Sequence, residues 1–303
     1  MTSTVLTDVR PWGGPLSDVV LADGLIAGIH PAGSGPLDPS AATVSGRGRI
    51  LLPSFADVHV HLDSTRIGLP FRPHTGVPGV WGMMLNDRDN WRHAERSMEH
   101  RVATTLESAI ARGTTQVRTY AQVDVDADLE RLDAVLAARE ANLDRCEVEI
   151  IAFPQAGLLR EAGSIEVLDR AMDRGADVVG GIDPCALDRD PVRHLDAVFS
   201  IAERYGAPVD IHLHEPDQLA KFSAELIIER TRALDMRGRV TISHGYGLGR
   251  LPDAQLRGLL EQFRDLGISM ATVAPQAPLP THLLDEYGIA LGLGQDGQRD
   301  YWS

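Results

Sequence analysis

Apolar and polar positions change their rhythm near residue 50 of this 303-residue chain. Before it, "DVVLADGLIAGIHP" holds two short β-type runs joined at Asp23-Gly24, a pair suited to a two-residue hairpin turn. The stretch "PAGSGPLDPSAATVSGRGR" is rich in Gly, Pro and Ser and reads as loop or short edge strand. Residues 1–50 are therefore expected to form a small β layer. From residue 51 short apolar runs alternate with amphipathic stretches such as "ADLERLDAVLAAREANL" and "DAQLRGLLEQFRDLG". The runs cover 51–63, 114–123, 146–155, 176–184, 208–216, 239–247, 268–275 and 289–297. Eight strands alternating with helices predict a parallel sheet. Eight is the count that closes a (β/α)8 barrel of the TIM type, usually about 250 residues long. An open doubly wound sheet is the alternative, and the lack of a GxGxxG turn after the first strand weighs against it.

In such a barrel, chemistry gathers at the C-terminal ends of the strands. The polar residues of the runs fall there: His59, His61, Gln155, Asp183, His212, His214, Glu215, His244 and Asp296. Five of the 11 histidines lie at the ends of three predicted strands. Positions i and i+2 of a strand share a face, so His59 and His61 converge on one spot in the barrel mouth. Two imidazoles that close suit a divalent transition metal. Arg118 and Tyr120 end the second strand and are further pocket candidates. The long first loop, with His74, Trp81, Met83 and Met84, is placed to cover the site. His30, His194 and His282 read as exposed.

Composition narrows the partners. A net charge of −14 argues against a nucleic-acid backbone. No apolar run approaches the roughly 20 residues of a membrane span, and the N-terminus lacks the pattern of a secretion signal. Cys146 and Cys185 are too few for a disulfide framework and read as the inert thiols of a cytoplasmic protein.

Several segments carry a resemblance. "PSFADVHVHLD", "IHLHE", "SH" and "GQDG", at the first, fifth, sixth and eighth strands, resemble the amidohydrolase superfamily of metal-dependent hydrolases. "IIAFPQ", "GADVVGG", "RVTISH" and the strand-eight motif resemble its cytosine deaminase branch, in order and spacing, from about residue 15 to the end. The resemblance implies that His59, His61, His212 and Asp296 hold one metal, zinc or iron(II). It implies Glu215 as proton shuttle and His244 as the group polarising the attacking water or the tetrahedral centre. Gln155 and Trp302 would contact substrate. Many relatives bridge two metals through a carboxylated lysine on strand four. The only lysine here is Lys221, after strand five, so composition excludes that arrangement.

The resemblance also shows departures. His214 replaces an acid before the glutamate, Gly297 stands where a second acid follows the strand-eight aspartate, and Ala156 replaces a glutamate after the strand-three glutamine. A pocket that hydrogen-bonds its substrate discriminates through such groups. The expected substrate is therefore a small heterocycle other than cytosine, with His214 a further contact. The expected reaction is hydrolysis of a C–N bond, as in a nucleobase-like deaminase; a lactam or N-substituted triazine amidohydrolase is the alternative. Relatives continue past strand eight with a helix and strands that complete the small β domain, so this chain is expected to be C-terminally truncated. Incomplete cover on the last strand predicts homo-oligomerisation. A catalytically inactive, truncated binding or assembly protein is the alternative of another class.

Overall fold

The computed structural model describes residues 3–35, 40–73, 79–273 and 279–297. The chain divides into two compact units, Met1–Ser54 and Phe55–Ser303. The first holds β1 (Ser3–Pro11), β2 (Ser17–Ala22), β3 (Leu25–Pro31), β4 (Ala42–Ser45) and β5 (Ile50–Leu51). Their order is β3-β2-β1-β4, with β5 paired to β1. β2 and β3 are antiparallel, and Ala22 opposes Leu25. Between them Asp23 and Gly24 take φ of 50° and 79°, the positive values a tight hairpin turn requires.

The second unit begins with β6 (Phe55–Val60), and its first connection carries α1 (Val80–Asn90) and α2 (Met98–Ile110). Strand and helix then alternate: β7 (Thr114–Gln122), α3 (Glu130–Glu140), β8 (Glu147–Phe153), α4 (Ser164–Arg174), β9 (Val178–Ile182), α5 (Pro191–Tyr205) and β10 (Val209–Leu213). The series ends with α6 (Asp217–Ala233), β11 (Val240–His244), α7 (Asp253–Leu266), β12 (Ser269–Val273), α8 (Thr281–Glu286) and β13 (Leu291–Gly294). β6 to β13 lie side by side in chain order, all parallel. Every residue of β9, β10 and β11 is buried, as expected of strands covered on both faces.

The last strand returns to the first. Val60 and Asp296 form a parallel bridge; the Asp296 N–H donates to the His59 carbonyl at 2.8 Å and the His61 N–H to the Asp296 carbonyl at 3.3 Å. The Asp57 carboxylate takes the Gln295 N–H at 3.2 Å. Gly294 permits this approach, since a Cβ there would lie 2.4 Å from the His59 carbonyl oxygen. This is the (β/α)8 arrangement, not an open doubly wound sheet. The helices carry their own punctuation. In α5, for example, Asp190 caps the Arg193 N–H, Pro191 opens the first turn and Gly206 closes it in a left-handed conformation. No helix among the described residues is long and apolar enough to cross a membrane.

His194 departs from expectation. It is fully buried rather than exposed. Its Nδ1 lies 2.6 Å from Asp188 Oδ2, and its Nε2 accepts the Ile182 N–H at 3.3 Å, tying α5 to the end of β9. Burial opposes the charge on Asp188, but His194 and backbone N–H groups hold its carboxyl below the usual range. Removing the imidazole strands a buried carboxylate. His194→Ala is therefore expected to cost about 3 kcal/mol in urea unfolding; a loss within experimental error would show that Asp188 is satisfied without it.

Candidate active site

The strand ends bring the histidines together. His59 sits within β6 and His61 just beyond it; His212 is on β10, His244 ends β11 and Asp296 follows β13. All four imidazoles are buried. His61 Nε2 lies 3.4 Å from both His212 Nε2 and Asp296 Oδ1, and His59 Nε2 lies 3.8 Å from Asp296 Oδ1. His59, His61 and His212 each offer a ligand atom within 4.8 Å of the others, and so do His59, His244 and Asp296. Burial pushes His59 down to about 3, with Asp296 acting against it and His61 with it. Burial first, and neighbouring imidazoles second, also hold His212 and His244 well below the ordinary histidine range. Their rings stay neutral and their lone pairs free to bind.

The donor set fits a metal ion. Ligand bonds of about 2.0–2.1 Å in a tetrahedron put donor atoms about 3.4 Å apart, which is the separation found around His61. Neither ring nitrogen of His59 has a hydrogen-bond partner among the described residues, and neither has His212 Nδ1. Buried polar atoms left so cost free energy unless something binds them. Sequence and structure thus bring the same three imidazoles and one carboxylate together, with His244, expected at the sixth strand end, close beside them.

The second polar layer is less expected. Asp183 accepts the His214 N–H at 2.6 Å with one oxygen and faces His214 Nδ1 at 2.9 Å with the other. Burial opposes protonation of His214, yet Asp183 outweighs it and raises the imidazole above its ordinary value. The ring centroids of His214 and His244 are 4.3 Å apart. His244 Nδ1 lies 3.0 Å from the Tyr246 hydroxyl. Glu215 is buried and fully partnered: its Oε1 accepts the N–H groups of Cys185 (2.7 Å) and Ala186 (2.8 Å), and its Oε2 the Ser223 hydroxyl. Burial raises its carboxyl, these donors working against it. Asp183, His244 and Asp296 take φ of 36°, 67° and 63°. Such backbone strain gathers at functional sites.

Gln155 is buried, and its side-chain carbonyl oxygen has no hydrogen-bond partner among the described residues. Trp302 and His74 lie outside the described residues. Asp63, the third polar position of "HVHLD", takes the Gln122 N–H at 2.8 Å and lies 3.8 Å from Arg131, so it braces β6 against β7 and α3. Arg118 and Tyr120 separate. Tyr120 lies beneath the imidazoles, its centroid 4.3 Å from that of His59. Arg118 lines a cavity of about 440 Å³ among residues at the N-terminal ends of the strands, Glu147 and Glu149 included. In the first connection, Trp81 packs against the cluster of Tyr120, Phe153 and Leu187. Ion pairs anchor its helix: Arg88 with Glu161 (2.8 Å) and Asp124 (3.2 Å), and Asp87 with Arg131 (2.6 Å). Sequence patterning missed Ser223 and the Cys185 and Ala186 amides, because a lone helical serine and backbone N–H groups carry no motif.

The comparisons with known proteins agree with this geometry. Residues 80–303 match the model of the amidohydrolase family. N-isopropylammelide isopropyl amidohydrolase of Pseudomonas sp. (strain ADP) is 29% identical over 86% of this chain and 66% of its own. The chain spans 58–66% of the lengths of the curated relatives it matches. Among solved structures, N-isopropylammelide isopropylaminohydrolase from Burkholderia multivorans superposes with a TM-score of 0.92 at 36% identity, covering 100% of this chain and 77% of that one. The 5-methylcytosine deaminase from Klebsiella pneumoniae, liganded with 5-fluorocytosine, gives 0.79 at 27% identity over 99% and 76%. This chain belongs to the amidohydrolase superfamily, in its cytosine deaminase-like branch.

Proposed function

We propose that this chain is a mononuclear metal-dependent hydrolase that removes a nitrogen substituent from a small heterocycle, a nucleobase-like or triazine-like ring. The observation that carries the reading is the set of separations around His61, spaced for one ion held by His59, His61, His212 and Asp296. The relatives named above support the substrate class by their own names. Zinc and iron(II) suit three imidazoles and a carboxylate equally. An ion held there would supply Lewis acidity and lower the pKa of water toward neutrality.

The protein groups then have distinct tasks. Asp296, beside both first-strand imidazoles, accepts the proton of the attacking water. His244, neutral and steadied by Tyr246, polarises the water and the tetrahedral centre. Glu215, its carboxyl raised by burial, hands a proton to the leaving nitrogen. Gln155, with its open carbonyl, and His214, fixed by Asp183, face the ring. Trp302 completes the contacts proposed for substrate. Two free cysteines are consistent with a cytoplasmic protein, and homo-oligomerisation is part of the proposal.

The test is direct. Protein loaded with zinc or iron(II) is incubated with substituted triazines, pterins, cytosines and lactams, and ammonia or alkylamine release is measured. Release from an aminated ring supports the reading. Ring opening without amine release favours lactam hydrolysis. No turnover with the metal retained favours a binding protein.

A further inference from the structure

Metal-bound histidines usually donate their second ring N–H to a carboxylate or carbonyl, which fixes the ring. Among the described residues, none receives such a bond from His59 or from His212 Nδ1. Something else must hold these rings. Tyr120, fully buried, lies against all three imidazoles of the first triad. Its centroid is 4.3 Å from His59, 4.4 Å from His212 at 88°, and 5.0 Å from His61 at 27°.

Tyr120 is itself fixed from two other strands. Its hydroxyl donates to Asp210 Oδ2 on β10 at 3.1 Å and lies 2.8 Å from Ser243 Oγ on β11. Ser243 donates to the other Asp210 oxygen at 2.8 Å. Arg118, also on β7, reaches Asp210 Oδ2 at 3.2 Å. Asp210, Ser243 and Tyr120 have no solvent exposure. A carboxylate so deep must keep all its donors, which leaves the phenol one position.

We propose that Tyr120, pinned by Asp210 and Ser243, is a positioning residue: an aromatic platform that orients His59 and His212, whose second ring nitrogens find no hydrogen-bond partner among the described residues. The inference rests on the metal reading above. The first-strand and fifth-strand ligands come from opposite sides of the barrel, and the Tyr120 ring lies against both, as Phe153 does against His61 and His212.

The test uses cobalt(II) on the full chain and its Tyr120→Leu, Tyr120→Phe and Ser243→Ala variants. Three quantities are read: the cobalt absorption bands, the rate of cobalt loss to a chelator, and the melting temperature of metal-free protein. Tyr120→Leu is expected to lose cobalt 10- to 100-fold faster, the range for groups that orient metal ligands, with shifted bands. Tyr120→Phe keeps the ring and loses the anchor; it is expected to fall between Leu and native. Ser243→Ala is expected to follow Phe. Folded Phe and Ser243 variants with native bands and native release would overturn the proposal, whatever their melting temperatures. A native chain that takes up no cobalt overturns the metal reading, and this one with it.

Discussion

Glu215→Gln is expected to keep its fold and its metal and to lose turnover by at least about 100-fold, the low end for removing a general acid or base. The structure explains why the fold survives. Glu215 Oε1 accepts two backbone N–H groups, and a glutamine carbonyl can accept the same two. Oε2 faces Ser223, whose hydroxyl can turn from donor to acceptor for the new amide N–H. What glutamine cannot do is carry a proton. Stoichiometric metal with lost amine release would assign Glu215 to proton transfer. Retained turnover would show that the three donors hold Glu215 as a structural anion, and would move the proton to another group.

His61→Ala is expected to abolish stoichiometric metal. His61 Nε2 is 3.4 Å from both His212 and Asp296, so its removal opens the middle of the ligand set. Elemental analysis of gel-filtered protein should fall from about one zinc or iron per chain to a trace. Thermal melts give a second reading. A ligand present at 100 times its Kd stabilises the folded state by about 2.7 kcal/mol, so added zinc should raise the native melting temperature and leave that of the variant unchanged. Protons should compete poorly: burial holds His59 at about 3. Metal retained at full stoichiometry in His61→Ala would transfer the site to the second triad, His59, His244 and Asp296.

The barrel and the clustering of the imidazoles at its mouth were legible because both obey short-range rules. Alternation within β6 puts His59 and His61 on one face, and runs buried on both faces mark β9 to β11. Depth was not legible. Arg118 and Tyr120 share a face of β7 by the same alternation, yet one reaches the barrel floor and the other the imidazoles. How far a strand extends past its neighbours is set by register with β6 and β8, which no single segment encodes. The role of Asp63 was hidden for a related reason. Its partners, Gln122 and Arg131, come from β7 and α3, and only the fold brings them near. His194 looked exposed because its helix has polar neighbours, while the carboxylate that buries it lies six residues earlier in a loop.

The bridge that closes the barrel uses only the backbone of residue 296: its N–H to His59 and its carbonyl to His61. Its φ of 63° is one that glycine adopts freely and aspartate does not. Glycine there would keep both bonds and relieve strain of about 1 kcal/mol. The carboxylate also accepts the Gly297 N–H at 2.7 Å, a bond an asparagine could take as well, so folding alone gives the acid itself little reason to stay, and inheritance would erode it once its charge stopped being used. Among descendants of this chain, position 296 should serve as a record: aspartate where selection still acts on the site, glycine or asparagine where only the scaffold is kept.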